Sequence, residues 1–168
     1  MTEKLLIRAL AAAEKAHAEA RLIQVANLDL PIHMPGTAPC PATAMLFSET
    51  MEADGIIFAS YIQYYNISPH MSNLIGWLDY LESPDWPLTG KTGGCIAVCE
   101  EDGGQQAASA ILAFMLDLGL AIPPGGRLYH NKTMAEKSDQ QWMITDVERV
   151  GRNVAKMARL LKTNRRGW

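Results

Sequence analysis

The chain has 168 residues, 48% of them hydrophobic, which suffices for one domain with a sizeable core and is short for two. Its net charge of -3, with the signs interspersed, builds no field that would gather nucleic acid or an anionic membrane, so the expected partner is a small molecule or a protein. No apolar stretch reaches the roughly 20 residues of a membrane helix, and residues 1–21 lack the ordered regions of a signal peptide, so a cytoplasmic location is expected. Three cysteines give no even disulfide framework, and the formal glycosylation sequon at Asn131 is read as plain loop.

Residues 3–17 are rich in Ala and Leu with charges spaced along one face, which predicts an amphipathic helix. Residues 21–25 form a short β-branched run ended by Asn27, Asp29 and Pro31, which predicts a strand leaving into a loop. Pro31, Pro35, Pro39 and Pro41 each remove a backbone donor, so residues 31–43 are expected to be irregular, with the next helix over 44–53. The continuously apolar Ile56, Ile57, Phe58 and Ala59 predict a strand covered on both faces and ending at Ser60. A polar-aromatic segment over 61–69 leads to a helix over 70–81, whose Met71, Leu74, Leu78 and Leu81 have the spacing of a buried stripe.

Residues 94–99 predict a further strand, 105–118 a helix stopped by Gly119, and 120–122 a short extended piece that resumes at 127–129. After a long loop, a helix is expected over 145–161. Strands alternating with helices argue for an α/β fold with a parallel sheet, read as one domain over 1–162 with a frayed tail at 163–168.

Glu52 to Ser60 reads EADGIIFAS and is followed, as far as Leu74, by YIQYYNISPHMSNL. This stretch resembles the NAD(P)H-dependent FMN reductase family, whose members carry an acidic-Gly-apolar strand, a Ser-Pro-apolar-aromatic loop over the flavin, and a helix with a Leu-Lys-Asn-like step. Here Tyr61 replaces the usual Pro. The resemblance continues through LTGKTG at 88–93 and CEEDGGQQ at 99–106, where relatives carry a glycine-rich turn, and weakly to the C-terminal helix. It implies a flavodoxin-like three-layer fold of strand order 2-1-3-4-5, with FMN outside the carboxyl ends of the strands at the switch point.

The same resemblance implies two walls for the cofactor. Ser60, Tyr61, Ile62, Gln63, Tyr64, Tyr65 and Asn66 form one: backbone amides face the polar edge of the isoalloxazine, and Tyr64 or Tyr65 packs on the ring. Glu100, Asp102, Gly103 and Gly104 form the other. The glycines permit close approach, while Glu100, Glu101 and Asp102 put negative charge near the ring and disfavour its anionic reduced state, a departure from the family pattern. The bland alternatives stay open: Ser60 as a strand terminator, the tyrosines as a dimer contact, and the acidic turn as a solvated helix start.

The family begins with an apolar strand and a Ser/Arg loop whose amides and helix N-terminus hold the FMN phosphate, and this sequence starts after that point. Only Thr2 carries over as a phosphate contact. The first strand is the middle of the sheet, so strands 2 and 3 are left without their shared neighbour. A late start, a fragment, or a sheet completed by another chain are the three explanations, with an incomplete chain favoured.

Cys95 and Cys99 share one face of a predicted strand with no histidine at ligand spacing, which favours buried thiols over a metal site, and Cys40 reads as a solvent-facing loop cysteine. His17, His33, His70 and His130 are scattered, and hydride transfer to a flavin needs no protein base, so no catalytic residue and no metal ligand is assigned. The resemblance implies an FMN oxidoreductase that takes hydride from NAD(P)H and reduces a quinone, flavin, nitroaromatic or metal ion, assembled as a homodimer or homotetramer. A truncated, non-catalytic interaction domain and a flavin electron carrier without a nicotinamide site are the rivals.

Overall fold

The computed structural model describes residues 1–82, 86–131 and 141–164. Helices α1 (Thr2–Lys15), α2 (Pro41–Glu52), α3 (Pro69–Leu78), α4 (Gly104–Asp117) and α5 (Gln141–Thr163) surround strands β1 (Gly55–Gln63), β2 (Asn66–Ile67), β3 (Thr92–Cys99) and β4 (Arg127–Asn131). The sheet runs β2-β1-β3-β4, with β1, β3 and β4 parallel and β2 antiparallel to β1. The α/β class and the largely parallel sheet are those expected. The sequon's Lys132 and Thr133, and Trp168, lie outside the described residues.

Period-two alternation sends the side chains of each strand into two separate cores. Phe58 and Ile62 of β1, with Cys95, Ala97 and Cys99 of β3, meet α2, α3 and α4 through Leu46, Met71, Leu74, Leu78, Ile111 and Met115. Ile96, Val98 and Leu128 turn the other way and meet α1 and α5 through Leu5, Ala9, Val147, Val150 and Val154. Every residue of β3 is buried, as the central strand of a doubly covered sheet requires, whereas β1 is only half-buried over much of its length.

The helix directions follow from their ion pairs and contacts. Arg8 pairs with Glu148 at 3.2 Å, and Arg159 donates to Ala16 O at 3.5 Å, so α1 and α5 run side by side in the same sense. Lys162 Nζ stands 2.7 Å from Asp54, just before β1, so α5 ends where the strands begin. The N-terminus of α1 therefore lies at the carboxyl edge of the sheet.

Four expectations need correction. Residues 21–25 make no strand: the chain is followed by a 3-10 turn at Val25–Asn27, and none of its backbone groups bonds to β1. An extended segment without a ladder partner is not stable as a strand. Helix α2 starts three residues earlier than the prolines suggested, because Pro41 sits at its first turn, where a missing N–H costs nothing, and Cys40 and Thr43 form a reciprocal cap. Cys40 is accordingly a half-buried capping residue rather than a solvent-facing loop thiol. Finally, β1 does not stop at Ser60 but continues to Gln63 and folds back as a hairpin onto β2.

Candidate functional site

The hairpin is built on two left-handed residues. Tyr64 and Tyr65 have φ of 46° and 66° between the paired Gln63 and Asn66, which is a two-residue turn with both central residues at positive φ. Non-glycine residues there store strain, and Asn66 supports them by donating Nδ2 to Tyr64 O at 3.1 Å. Tyr64 is 88% exposed and Tyr65 55%, so the turn presents two aromatic rings beyond the carboxyl end of β1. Tyr61 is also exposed, whereas Ile62 packs into the core and brings only its backbone to this edge.

Ser60 is 2% exposed, and its hydroxyl is committed to the frame. It accepts from Ser68 N at 3.1 Å, lies 3.2 Å from Ser68 Oγ and reaches Tyr61 O at 2.9 Å. Ser68 in turn caps α3 by accepting from Met71 N at 3.2 Å. These bonds clamp the return of the hairpin to the first turn of α3.

The second wall begins where β3 ends. Glu100 and Asp102 are exposed, while Gly103 and Gly104 are buried. Gly103 has φ of +90°, and a Cβ placed on it would lie 2.5 Å from Tyr65 Cα and 3.0 Å from Tyr65 N. The two expected walls thus touch through their backbones, and only a glycine permits it. Gly104 opens α4 and bonds through its amide to Cys99, whose thiol donates to His130 O at 3.2 Å. Burial is the main cause that raises the Cys99 thiol pKa. Cys95, fully buried, is pushed up to about 12, again chiefly by burial.

Thr2 is the first residue of α1, at the same carboxyl edge, and no side chain caps this helix. Its first-turn amides lack helical acceptors, as at any helix start, so they and the Thr2 hydroxyl are donors of the type that a phosphate takes. The arrangement fits FMN in two parts: a glycine-lined aromatic edge for the ring, and an uncapped helix start for the anion. His17 ends α1 at the opposite edge, and His33 packs edge-on between Trp77 and Tyr80. His70 sits exposed on α3. Among the described residues no group of three or more His, Cys, Asp or Glu could hold a metal ion, and no helix is long and apolar enough to cross a membrane.

Sequence reasoning did not find the contact between Gly103 and Tyr65 or the clamp through Ser68. The sequence between Gln63 and Asn66 lacks the Asn-Gly or Asp-Gly signal that marks such a hairpin. A cavity of about 640 Å³ lies elsewhere, along the edge of β1 that faces away from β3.

A largely parallel sheet with helices on both faces is the architecture of the flavodoxin-like fold. The solved structures that resemble it agree. RosB with bound 8-demethyl-8-formylriboflavin-5'-phosphate superposes with a TM-score of 0.81 at 18% identity, covering 96% of this chain and 73% of that one. A flavone reductase gives 0.76 at 16% identity, over 96% of this chain and 59% of its own. An apo NADH:FMN oxidoreductase gives 0.68 at 20% identity, over 95% and 81%. No curated protein sequence matches the chain. Its sequence matches the profile of the NADPH-dependent FMN reductase family over residues 1–134, and the chain belongs to that family. FMN is the family's cofactor, with NAD(P)H as co-substrate.

Proposed function

We propose that this chain is an FMN-dependent NAD(P)H oxidoreductase of the cytoplasm that passes reducing equivalents to a quinone, flavin, nitroaromatic or metal-ion acceptor, as a homodimer or homotetramer. The observation that carries the reading is the joining of the Tyr64–Tyr65 turn to Gly103, which brings the two predicted walls to one edge of the sheet. When bound, FMN supplies the ring that accepts the hydride, so the protein's own work is to bind and orient.

In this reading, the strained turn holds one tyrosine ring as a stacking face, and backbone groups of residues 61–66 and 103–104 meet the polar rim of the flavin. Thr2 and the first-turn amides of α1 hold the phosphate. The carboxylates of Glu100 and Asp102 disfavour negative charge on the reduced ring, which lowers its potential. No side chain is required as an acid or base.

Titrating the purified protein with FMN and then adding NADPH or NADH without oxygen tests the reading. Saturable binding followed by bleaching of the oxidised visible band supports it, and absence of binding well above micromolar FMN overturns it. The half-exposed edge of β1 favours a second reading, a flavodoxin-like interaction domain, and that reading takes over in the latter case.

A further inference from the structure

We propose that Ser60 and Cys99 are positioning residues of the flavin edge, and that they act as one circuit closed by the contact between Tyr65 and Gly103. The inference rests on the flavin reading for the ligand it serves, while the circuit itself is open to test without any ligand. Its two members occupy matching places. Alternation along β1 turns Ser60 to the same face as Phe58 and Ile62, and Cys99 shares that face with Cys95 and Ala97. The face is covered by α3 and α4, through Met71, Leu74 and Ile111 among others. Each of the two parallel strands thus carries, near its carboxyl end, one buried polar side chain that grips the start of the next helix in the chain.

The two grips are built from different atoms. Ser60 Oγ accepts from Ser68 N at 3.1 Å, and Ser68 Oγ, 3.2 Å away, accepts from Met71 N in the first turn of α3. Cys99, as buried as Ser60, accepts from Gly104 N at the start of α4 and donates to His130 O on β4 at 3.2 Å. Its thiol is raised above the ordinary range by burial, so the donated proton stays in place at neutral pH. Behind both grips the strands are locked in register, with Ser60 opposite Ala97 and Tyr61 opposite Val98.

The turn between the grips is what requires them. Tyr64 and Tyr65 hold φ of 46° and 66°, a region that residues with a Cβ keep only when their surroundings leave no alternative. On one side of the turn, Ser60 ties down Ser68. On the other, Gly103 stands so near that a Cβ on it would lie 2.5 Å from Tyr65 Cα, and Gly103 is placed by Gly104, which Cys99 holds. The contact joins backbone to backbone, so it transmits a displacement that a flexible side chain would absorb. Loss of either grip therefore relaxes the turn and both walls, whereas two independent caps would each loosen only their own helix. A site of this kind has to hold its groups within about 0.5 Å, so an isoalloxazine between the walls registers the loosening.

The test uses the full chain and first reads amide hydrogen exchange without flavin. Ser60→Ala is expected to speed exchange at Ser68 and, across the contact, at Gly104, and Cys99→Ala to speed it at Gly104 and, across the contact, at Ser68, each by at least about fivefold with Ala97 in β3 unchanged. Cys99→Ser, whose hydroxyl can make both bonds, should return the two amides to within about twofold of the original rates. A flavin titration follows, in which each alanine variant weakens FMN and riboflavin by the same factor of about tenfold. The double variant should be no weaker than the poorer single one, because an opened circuit cannot be opened twice. Speeding confined to the near side of the contact, or a double variant weakened by about a hundredfold, would show two separate caps and overturn the inference. Speeding that reaches Ala97 equally, failure of Cys99→Ser to rescue, or loss of FMN affinity with riboflavin affinity kept would overturn it as well. If the unaltered protein binds no flavin, the reading of its function fails, while the exchange rates still decide the circuit.

Discussion

Gly103 and Tyr65 meet backbone to backbone, with room for a hydrogen but not for a methyl group: a Cβ on Gly103 would lie 2.5 Å from Tyr65 Cα. Neither side is the end of a flexible chain, so Gly103→Ala must move the turn. The substitution also meets the left-handed φ of +90°, which costs about 1 kcal/mol for a residue with a Cβ. Weakening of FMN binding by about tenfold, equivalent to about 1.4 kcal/mol, is expected in a flavin-quenching titration. Unchanged affinity would detach the contact from the cofactor site.

The three thiols separate by environment. Cys40 is held below the ordinary thiol range, first by the Thr43 amide, whereas burial drives Cys95 up to about 12 and also raises Cys99. At a mildly alkaline pH, a disulfide reagent such as DTNB should label one thiol per folded chain rapidly and all three in denaturant. Mass spectrometry should place the fast label on Cys40, and rapid labelling of Cys95 would contradict the packing of β3.

His130 sets a pH limit. It is 1% exposed, Nδ1 has no partner among the described residues, and burial lowers its pKa below the ordinary 6.5. The unfolded chain takes up this proton as pH falls through about 6.5 while the folded chain resists it, so the contribution to stability is intact above that value and is lost toward the lowered folded pKa. Urea midpoints should therefore fall between about pH 7 and pH 5, and His130→Gln should flatten that part of the profile. An unaltered slope in the variant would assign the acid sensitivity to other groups.

At Gly151, α5 passes close against the backbone of α1. A Cβ on Gly151 would lie 1.8 Å from Ala9 O, so Gly151→Ala has to push the helices apart despite the better helix propensity of Ala. Overpacking of this kind costs typically 1–3 kcal/mol, and a denaturation midpoint lowered by a corresponding amount is the expected result.

The elements that the sequence made legible are those with strong apolar signals. The run Ile56 to Ala59 and the buried face of Cys95 and Cys99 were readable because a doubly covered strand needs continuous hydrophobicity. The stripe Met71, Leu74 and Leu78 was readable because a helix repeats every 3.6 residues. Residues 21–25 carried an equally good strand signal, but a strand exists only with a neighbour, and local pattern does not reveal whether one is present. The hairpin at Tyr64 and Tyr65 was hidden for the opposite reason: its left-handed turn carries no glycine of its own and is flanked by the contacts of Gly103 and Asn66, which local pattern does not reveal. The prolines before α2 misled because a proline blocks a helix interior but suits its first turn.

The pairing of α1 with α5 also bears on synthesis. Arg8 and Ala9 leave the ribosome about 140 positions before their partners Glu148 and Gly151. At usual elongation rates the apolar face of α1 waits on the order of ten seconds for the helix that covers it. Until then the face of the sheet carrying Ile96, Val98 and Leu128 has only α1 to cover it, so a nascent chain leaves much of this second core exposed while translation continues.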